Sequence, residues 1–303
     1  MTTSTPAQPT PKDTLATEAD SRSTAALGAW GAALFTIVGA ILSGVGISGL
    51  PDADDKVVTI LDALGKLGRG EAIPPGRLSE QVLWLGDHAV LPIAGAVLVS
   101  LGSLLIFLPF SYLYRATKAR NTQLTSAVLV LGAIGCASFA FGRAASEISR
   151  YAGAAGFSGG DNSQALDALT PSAYTIGQLL MLLGSFALGF SFVMLGMQAM
   201  RAGLLTRFMG VLGVIVGATF VLPLDQQGII RSFWLGALGF LIAGRWPSGV
   251  PSAWETGRAE PWPSAAQTRM RGADTPLPET PAPVPPPSDG LSQGQRRKKR
   301  KKR

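Results

Sequence analysis

Six stretches dominated by Ala, Val, Leu, Ile, Phe and Gly lie between Ala26 and Arg245, separated by short polar gaps. Their limits fall at about residues 26–50, 88–112, 124–142, 174–200, 208–224 and 229–245. A helix needs about 20 mostly apolar residues to cross the hydrocarbon layer. The first four stretches reach that length or come close to it. The fifth is at the short end, and the sixth is the weakest because Arg231 sits near its start. Arg231 is expected to snorkel to the nearby interface, which would let that segment cross. The pattern therefore predicts an all-α, polytopic integral membrane bundle of six transmembrane helices; five spans plus a re-entrant segment is the alternative. The first stretch is longer than the ~7–15 residues of a signal-peptide core and follows a polar leader, so it reads as a retained helix.

The flanks are built differently. Residues 1–25 are polar and rich in Thr and Ser, and read as a disordered cytoplasmic leader. Residues 247–303 are rich in Pro and charge without hydrophobic periodicity, and read as a disordered, Pro-rich, basic cytoplasmic tail. Residues 26–246 form the transmembrane domain between them.

Charge orients this arrangement. The gap after the second stretch carries Arg115, Lys118 and Arg120 and no acid, and the gap after the fourth carries Arg201 and Arg207 and no acid. The alternate gaps are acidic or mixed, with Asp52, Asp54, Asp55, Asp62, Glu71 and Glu80 in the first and Asp161 and Asp167 in the third. Residues 1–25, 113–123, 199–207 and 245–303 together hold a net +11, and the remainder a net −4. Lys and Arg are retained on the cytoplasmic side. Both termini are thus expected in the cytoplasm, and an even number of spans follows.

The gaps also carry short elements. Val57–Leu67 places apolar residues at helical spacing, which predicts an amphipathic helix lying on the outer face or packed over the bundle as a cap. Pro74-Pro75-Gly76 is expected to end it. Ser163–Leu169 is a second short helical run. Within the spans, Gly213 and Gly217 with Gly210 before them, and Gly28, Gly31, Gly132, Gly135, Gly184 and Gly189, sit where small residues let helix backbones approach. An internal helix contact is expected over a dimer seam.

Chemistry-bearing residues are few. The chain has one Cys, Cys136, and one His, His88. Zinc, haem and Cys–His chemistry are therefore not expected, and no cofactor or metal is predicted. Cys136 reads as a small buried apolar residue. The span centres hold no Asp, Glu, Lys, Arg or His, only Ser43, Ser103, Ser138 and Ser185, read as helix-packing hydroxyls. Ionisable groups collect towards the outer ends. Asp87 and His88 open the second span, Arg143 and Glu147 close the third one helical turn apart with Arg150 beyond, and Gln178 lies one turn inside the fourth. Asp225, Gln226, Gln227 and Arg231 line the fifth gap. Asp87, His88, Arg143, Glu147 and Gln178 are the candidate cluster, either an outer polar vestibule or ordinary interfacial residues joined in a structural ion pair. An enzyme acting on lipid headgroups would need Asp87, His88 and Glu147 to converge within about 3–4 Å of one another or of a bound headgroup.

The tail interleaves Trp246, Trp254 and Trp262 with Pro, a composition suited to the headgroup layer. Seven prolines between Pro276 and Pro287 favour extended polyproline conformation. Arg296, Arg297, Lys298, Lys299, Arg300, Lys301, Lys302 and Arg303 close the chain as eight consecutive cations. They can attract anionic inner-leaflet lipid, bind RNA by counterion release, or serve only topology and solubility. No aromatic residue interleaves them, which weakens any reading that needs base stacking.

The run Gly203-Leu204-Leu205-Thr206-Arg207-Phe208-Met209-Gly210, with Phe233-Trp234-Leu235-Gly236, Gly244-Arg245-Trp246-Pro247, Ala253-Trp254-Glu255 and Pro261-Trp262-Pro263, resembles uncharacterised multi-spanning membrane proteins of high-GC Gram-positive bacteria. It is similar in outline to a domain-of-unknown-function family of six or seven helices, over about residues 174–264. The resemblance implies a bacterial plasma-membrane location and a helical fold, and no active residues. The expected function is that of a non-enzymatic structural or accessory membrane component, whose partners are membrane lipids. The alternative is a small-molecule transporter or channel that uses the outer polar cluster.

Overall fold

The computed structural model describes residues 10–50, 60–71, 77–121, 123–222, 224–247 and 249–260. These belong to the first of two units, Met1–Trp262; the second, Pro263–Arg303, lies outside the described residues. So do Pro74-Pro75-Gly76, the proline run and the eight terminal cations.

The regular elements among the described residues are helices: α1 Pro11–Ile47, α2 Ile60–Gly68, α3 Arg77–Asp87, α4 Val90–Leu105, α5 Phe107–Arg120, α6 Ser126–Ala155, α7 Asn162–Leu169, α8 Ser172–Arg201, α9 Arg207–Val221, α10 Ile229–Ile242 and α11 Ala253–Thr256. Four rods are long and apolar enough to cross a membrane: α1, α4 with α5, α6 and α8. At 1.5 Å per residue, the 15 residues of α9 and the 14 of α10 reach only about 21–22 Å, short of a ~30 Å hydrocarbon layer.

Helix α1 begins fifteen residues before the expected first span, which corrects the reading of a disordered leader for residues 10–25. Thr10 and Asp13 form a capping box, with the Asp13 amide 3.3 Å from Thr10 Oγ1 and the Thr10 amide 3.2 Å from Asp13 Oδ2, and Pro11 occupies the first helical position. That cap supplies partners for N–H groups that a helix start leaves free. Thr14 and Glu18 on this polar segment are buried against the rest of the bundle.

The second rod is interrupted at Ile106. Pro109 has no amide proton, so the carbonyl of Leu105 loses its helical donor. The bonds on either side survive, Ile106 to Gly102 and Phe110 to Ile106, both 3.1 Å. The rod then runs past its expected end at Tyr112 to Arg120. Similarly, α6 does not stop at Gly142 but continues for three more turns through Arg143, Glu147 and Arg150.

Glycine sets how closely the rods approach. A Cβ on Gly39 of α1 would lie 2.6 Å from the Gly95 carbonyl oxygen of α4, and one on Gly217 of α9 2.9 Å from that of Gly189 in α8. Gly210 faces Met200, and Gly213 faces Trp234. The Gly213-x-x-x-Gly217 stripe is thus consumed by contacts inside the chain.

Two apolar clusters result. The larger fills the bundle, with Phe110, Phe192, Phe220 and Trp234 at its centre. The smaller lies at one end, where α3 and α7 pack on the extension of α6 through Val82, Leu85, Tyr151, Ala154, Ala165 and Leu169. The hydroxyl of Ser79 bonds the Gly160 carbonyl at 2.5 Å across this cap. Helix α3 was not foreseen in the sequence, whereas α2 and α7 match the expected short helices. We refer below to the capped end and to the opposite, basic end, which carries Arg115–Arg120 and Arg201–Arg207.

At the basic end the described residues 249–260 pack on the bundle, which corrects their assignment to a disordered tail. Trp254 is buried, not placed for the headgroup layer. Its ring stacks on Tyr112 at 5.6 Å and its indole N–H donates to the Leu204 carbonyl at 2.8 Å. Arg120 ties three segments together: it pairs with Glu18 of α1 and donates to the carbonyl of Ala253 at 2.7 Å.

Candidate functional site

Helices α9 and α10 form a short hairpin whose turn closes below the capped end. Gly228 supplies the turn with φ 70°, a left-handed conformation that other residues adopt only with strain, and a Cβ there would come 2.5 Å from Thr36 Cγ2. Thr36 lies eleven residues before the end of α1, so the turn stops about 16 Å short of that end along the α1 axis. Asp225 then starts α10. Its carboxylate accepts the amides of Ile230 at 3.2 Å and Arg231 at 3.0 Å, and its carbonyl accepts the Gly228 amide at 3.0 Å. An anionic cap of this kind satisfies the free amides at a helix N-terminus and suits its partial positive charge.

Arg231, one turn into α10, is only 7 % exposed. It does not snorkel outward as expected but turns into the bundle, its guanidinium 4.2 Å from the Phe220 ring centroid and 5.5 Å from that of Phe139. The geometry is that of a cation on aromatic faces. Its Nε has no hydrogen-bond acceptor. Arg143 of α6 approaches Glu147 Oε1 at 3.5 Å through Nη2, and its own Nε is likewise buried without a partner.

The space above the hairpin turn divides into two adjoining cavities, with Arg143 and Gln226 lining both. One, of about 640 Å³, lies among α6, α8, α9 and α10, and carries Arg143, Gln178, Asp225, Gln226 and Arg231 on its polar side. Its floor is aromatic, with Phe139 and Phe220 edge to face at 5.7 Å. The other, of about 370 Å³, lies beneath α3 and carries Glu147, Arg150, Gln226 and Gln227. Volumes of this order suit a small molecule.

The five candidate residues therefore divide. Arg143 and Gln178 face the larger cavity, and Arg143 and Glu147 the smaller. Asp87 and His88 line neither. Both are exposed at the end of α3, where the His88 ring stacks on Trp84 at 4.1 Å and Nδ1 lies 2.9 Å from the Trp84 carbonyl oxygen. Among the described residues, Asp87 and His88 thus share neither cavity with Glu147. No group of three or more His, Cys, Asp or Glu able to hold a metal occurs among them. Asp225, Gln226 and Arg231 belong to the site although the candidate cluster omitted them. Their signal was an arginine flanked by Ile229, Ile230 and Phe233, a setting where a charge needs a reason to stay.

No known protein family, curated protein or solved structure matches this chain.

Proposed function

We propose that the chain is a non-enzymatic protein of a bacterial plasma membrane, of the high-GC Gram-positive kind that residues 174–264 resemble, with four crossing rods and a short α9–α10 hairpin whose turn stops inside the bilayer. Both termini lie in the cytoplasm, and α9 and α10 are its short final pair. Its role is to bind an anionic molecule in the cavity at the capped, outward end. The charge asymmetry of the gaps supports the orientation, because the basic end gathers Arg115, Lys118, Arg120, Arg201 and Arg207.

One observation carries the binding reading: two guanidiniums face one cavity, and little negative charge answers them. Asp225 is spent on the amides of α10, and Glu147 reaches only Arg143. Guanidiniums keep their charge. A buried cation with unfilled donors is costly unless an anion meets it. This favours the vestibule over a purely structural role.

The test is thermal melting of the full-length protein in a neutral detergent. Inorganic phosphate, glycerol 3-phosphate and dihexanoyl phosphatidylglycerol are each compared with chloride at equal ionic strength. At least one should raise the melting temperature, and the rise should disappear in Arg231→Gln and shrink in Arg143→Gln. Silence from all three, or an equal rise in the variants, removes the reading. The eight cations Arg296–Arg303 carry a second, separable activity: attraction to anionic inner-leaflet lipid, favoured over RNA because no aromatic residue accompanies them. Deleting them should abolish salt-sensitive binding of phosphatidylglycerol vesicles to the tail.

A further inference from the structure

The wall of the larger cavity changes character from one side to the other. Its inner side holds Arg143, Gln178 and Arg231, while its rim is mixed, with Leu179, Leu182 and Val221 towards α8 and α9 and the exposed Thr175 and Gln226 beside them. Leu179, Leu182 and Val221 are 57 %, 51 % and 40 % exposed. They lie on faces of α8 and α9 whose other exposed large side chains are apolar as well, such as Leu183 and Phe186 on α8. On a rod long and apolar enough to cross a membrane, such a face meets lipid. The mouth between α8 and α9 therefore opens sideways into the hydrocarbon, and the guanidiniums stand just inside it.

A soluble anion entering past Thr175 and Gln226 leaves the leucine side of the mouth unmatched. A molecule with a negative head and a hydrocarbon tail is matched on both sides. Its head meets the guanidiniums of Arg143 and Arg231 where they line the cavity, with Gln178 and Gln226 as further donors. Its chain stays in the bilayer, along the leucine rim. The aromatic floor at Phe139 and Phe220 stops the head from going deeper.

Resting on the anion-binding reading above, we propose that the ligand of this cavity is an anionic membrane lipid, a phosphodiester headgroup with its acyl chains, taken up laterally between α8 and α9 from the outer leaflet. The short α9–α10 hairpin is what makes the site possible. A longer hairpin would fill the space now left above Asp225.

The experiment uses the full chain in neutral detergent, with retained lipid counted by native mass spectrometry. The probes are dioleoyl phosphatidylglycerol, dioleoyl phosphatidylcholine and glycerol 3-phosphate. Phosphatidylglycerol should be retained about tenfold or more over either of the others, a difference of roughly 1.4 kcal/mol. Arg231→Gln and Arg143→Gln should abolish that preference. Leu179→Gln combined with Leu182→Gln, which keeps both arginines and does not depend on the folding of the arginine variants, should weaken phosphatidylglycerol and leave any glycerol 3-phosphate response unchanged. If glycerol 3-phosphate binds as well as the lipid and the leucine changes do nothing, the lipid proposal is overturned while anion binding stands. If phosphatidylglycerol is retained equally by the arginine variants, it is ordinary boundary lipid and the proposal is overturned. Binding of no anion at all overturns both.

Discussion

Two buried arginines in this chain have opposite surroundings, and the contrast separates structure from site. Arg120 has a fully buried side chain, and it pairs with Glu18 while donating to the carbonyls of Ala116 and Ala253. Removing one partner of such a pair leaves the other charge buried and unanswered, at about 3–5 kcal/mol. Arg120→Ala should therefore lower the melting temperature markedly. Glu18→Gln combined with Arg120→Gln should cost clearly less than the sum of the two single changes. Arg231 has Asp225 as its nearby carboxylate, bonded to its amide and not to its guanidinium, and its Nε has no acceptor. Replacing it by Met, of similar length and apolar, should leave the unliganded melting temperature unchanged or raised. The same variant should lose stabilisation by phosphatidylglycerol. A stabilising loss-of-function change is the signature of a residue kept for binding; a large fall in stability would assign Arg231 to structure instead.

Among the elements, the α9–α10 hairpin matters most. Its length is set by Gly228 and by the cap from Asp225, and its turn presses on Thr36. Gly228→Ala meets both an unfavourable φ and a steric conflict, and should cost about 1–3 kcal/mol, read as a lower midpoint in thermal unfolding. The end of α10 leads into α11, where Trp254 is stacked on Tyr112 and Arg120 approaches its ring at 5.5 Å. Trp254→Ala should cost about 3–5 kcal/mol. That outcome distinguishes a packed residue from one sitting in the headgroup layer, where the change would cost little.

For the whole molecule, the proposed orientation makes a direct prediction. In a Cys136→Ala background, Ser163→Cys beside the cap should react with a membrane-impermeant maleimide on intact cells. Gln123→Cys, between α5 and α6, should react only after the membrane is opened. Reversed labelling would invert the topology and move the cavity to the cytoplasmic leaflet.

Much of this bundle is legible in the sequence. The apolar periods located the four long rods, and in α8 they did so to within two residues, because a lipid-facing helix must be apolar along its whole crossing length. The short helices α2 and α7 were legible for the related reason that their apolar spacing is local. Where polar residues are buried by distant partners, composition misleads. The first turns of α1 and the chain around Trp254 look like soluble flanks, yet Arg120 reaches them both from α5. The same holds for the site. Arg143, Glu147 and Gln178 were legible as charge and amide at helix ends. The exclusion of Asp87 and His88 follows from how α3 packs on α6 and α7, and the inward turn of Arg231 and the cavity itself depend on where a short hairpin stops against α1. Sequence alone determines which segments are apolar and which gaps are basic, since these follow from transfer free energy residue by residue. Which polar groups share a cavity is a matter of tertiary packing, because it depends on helix lengths and crossings set by contacts far apart in the chain.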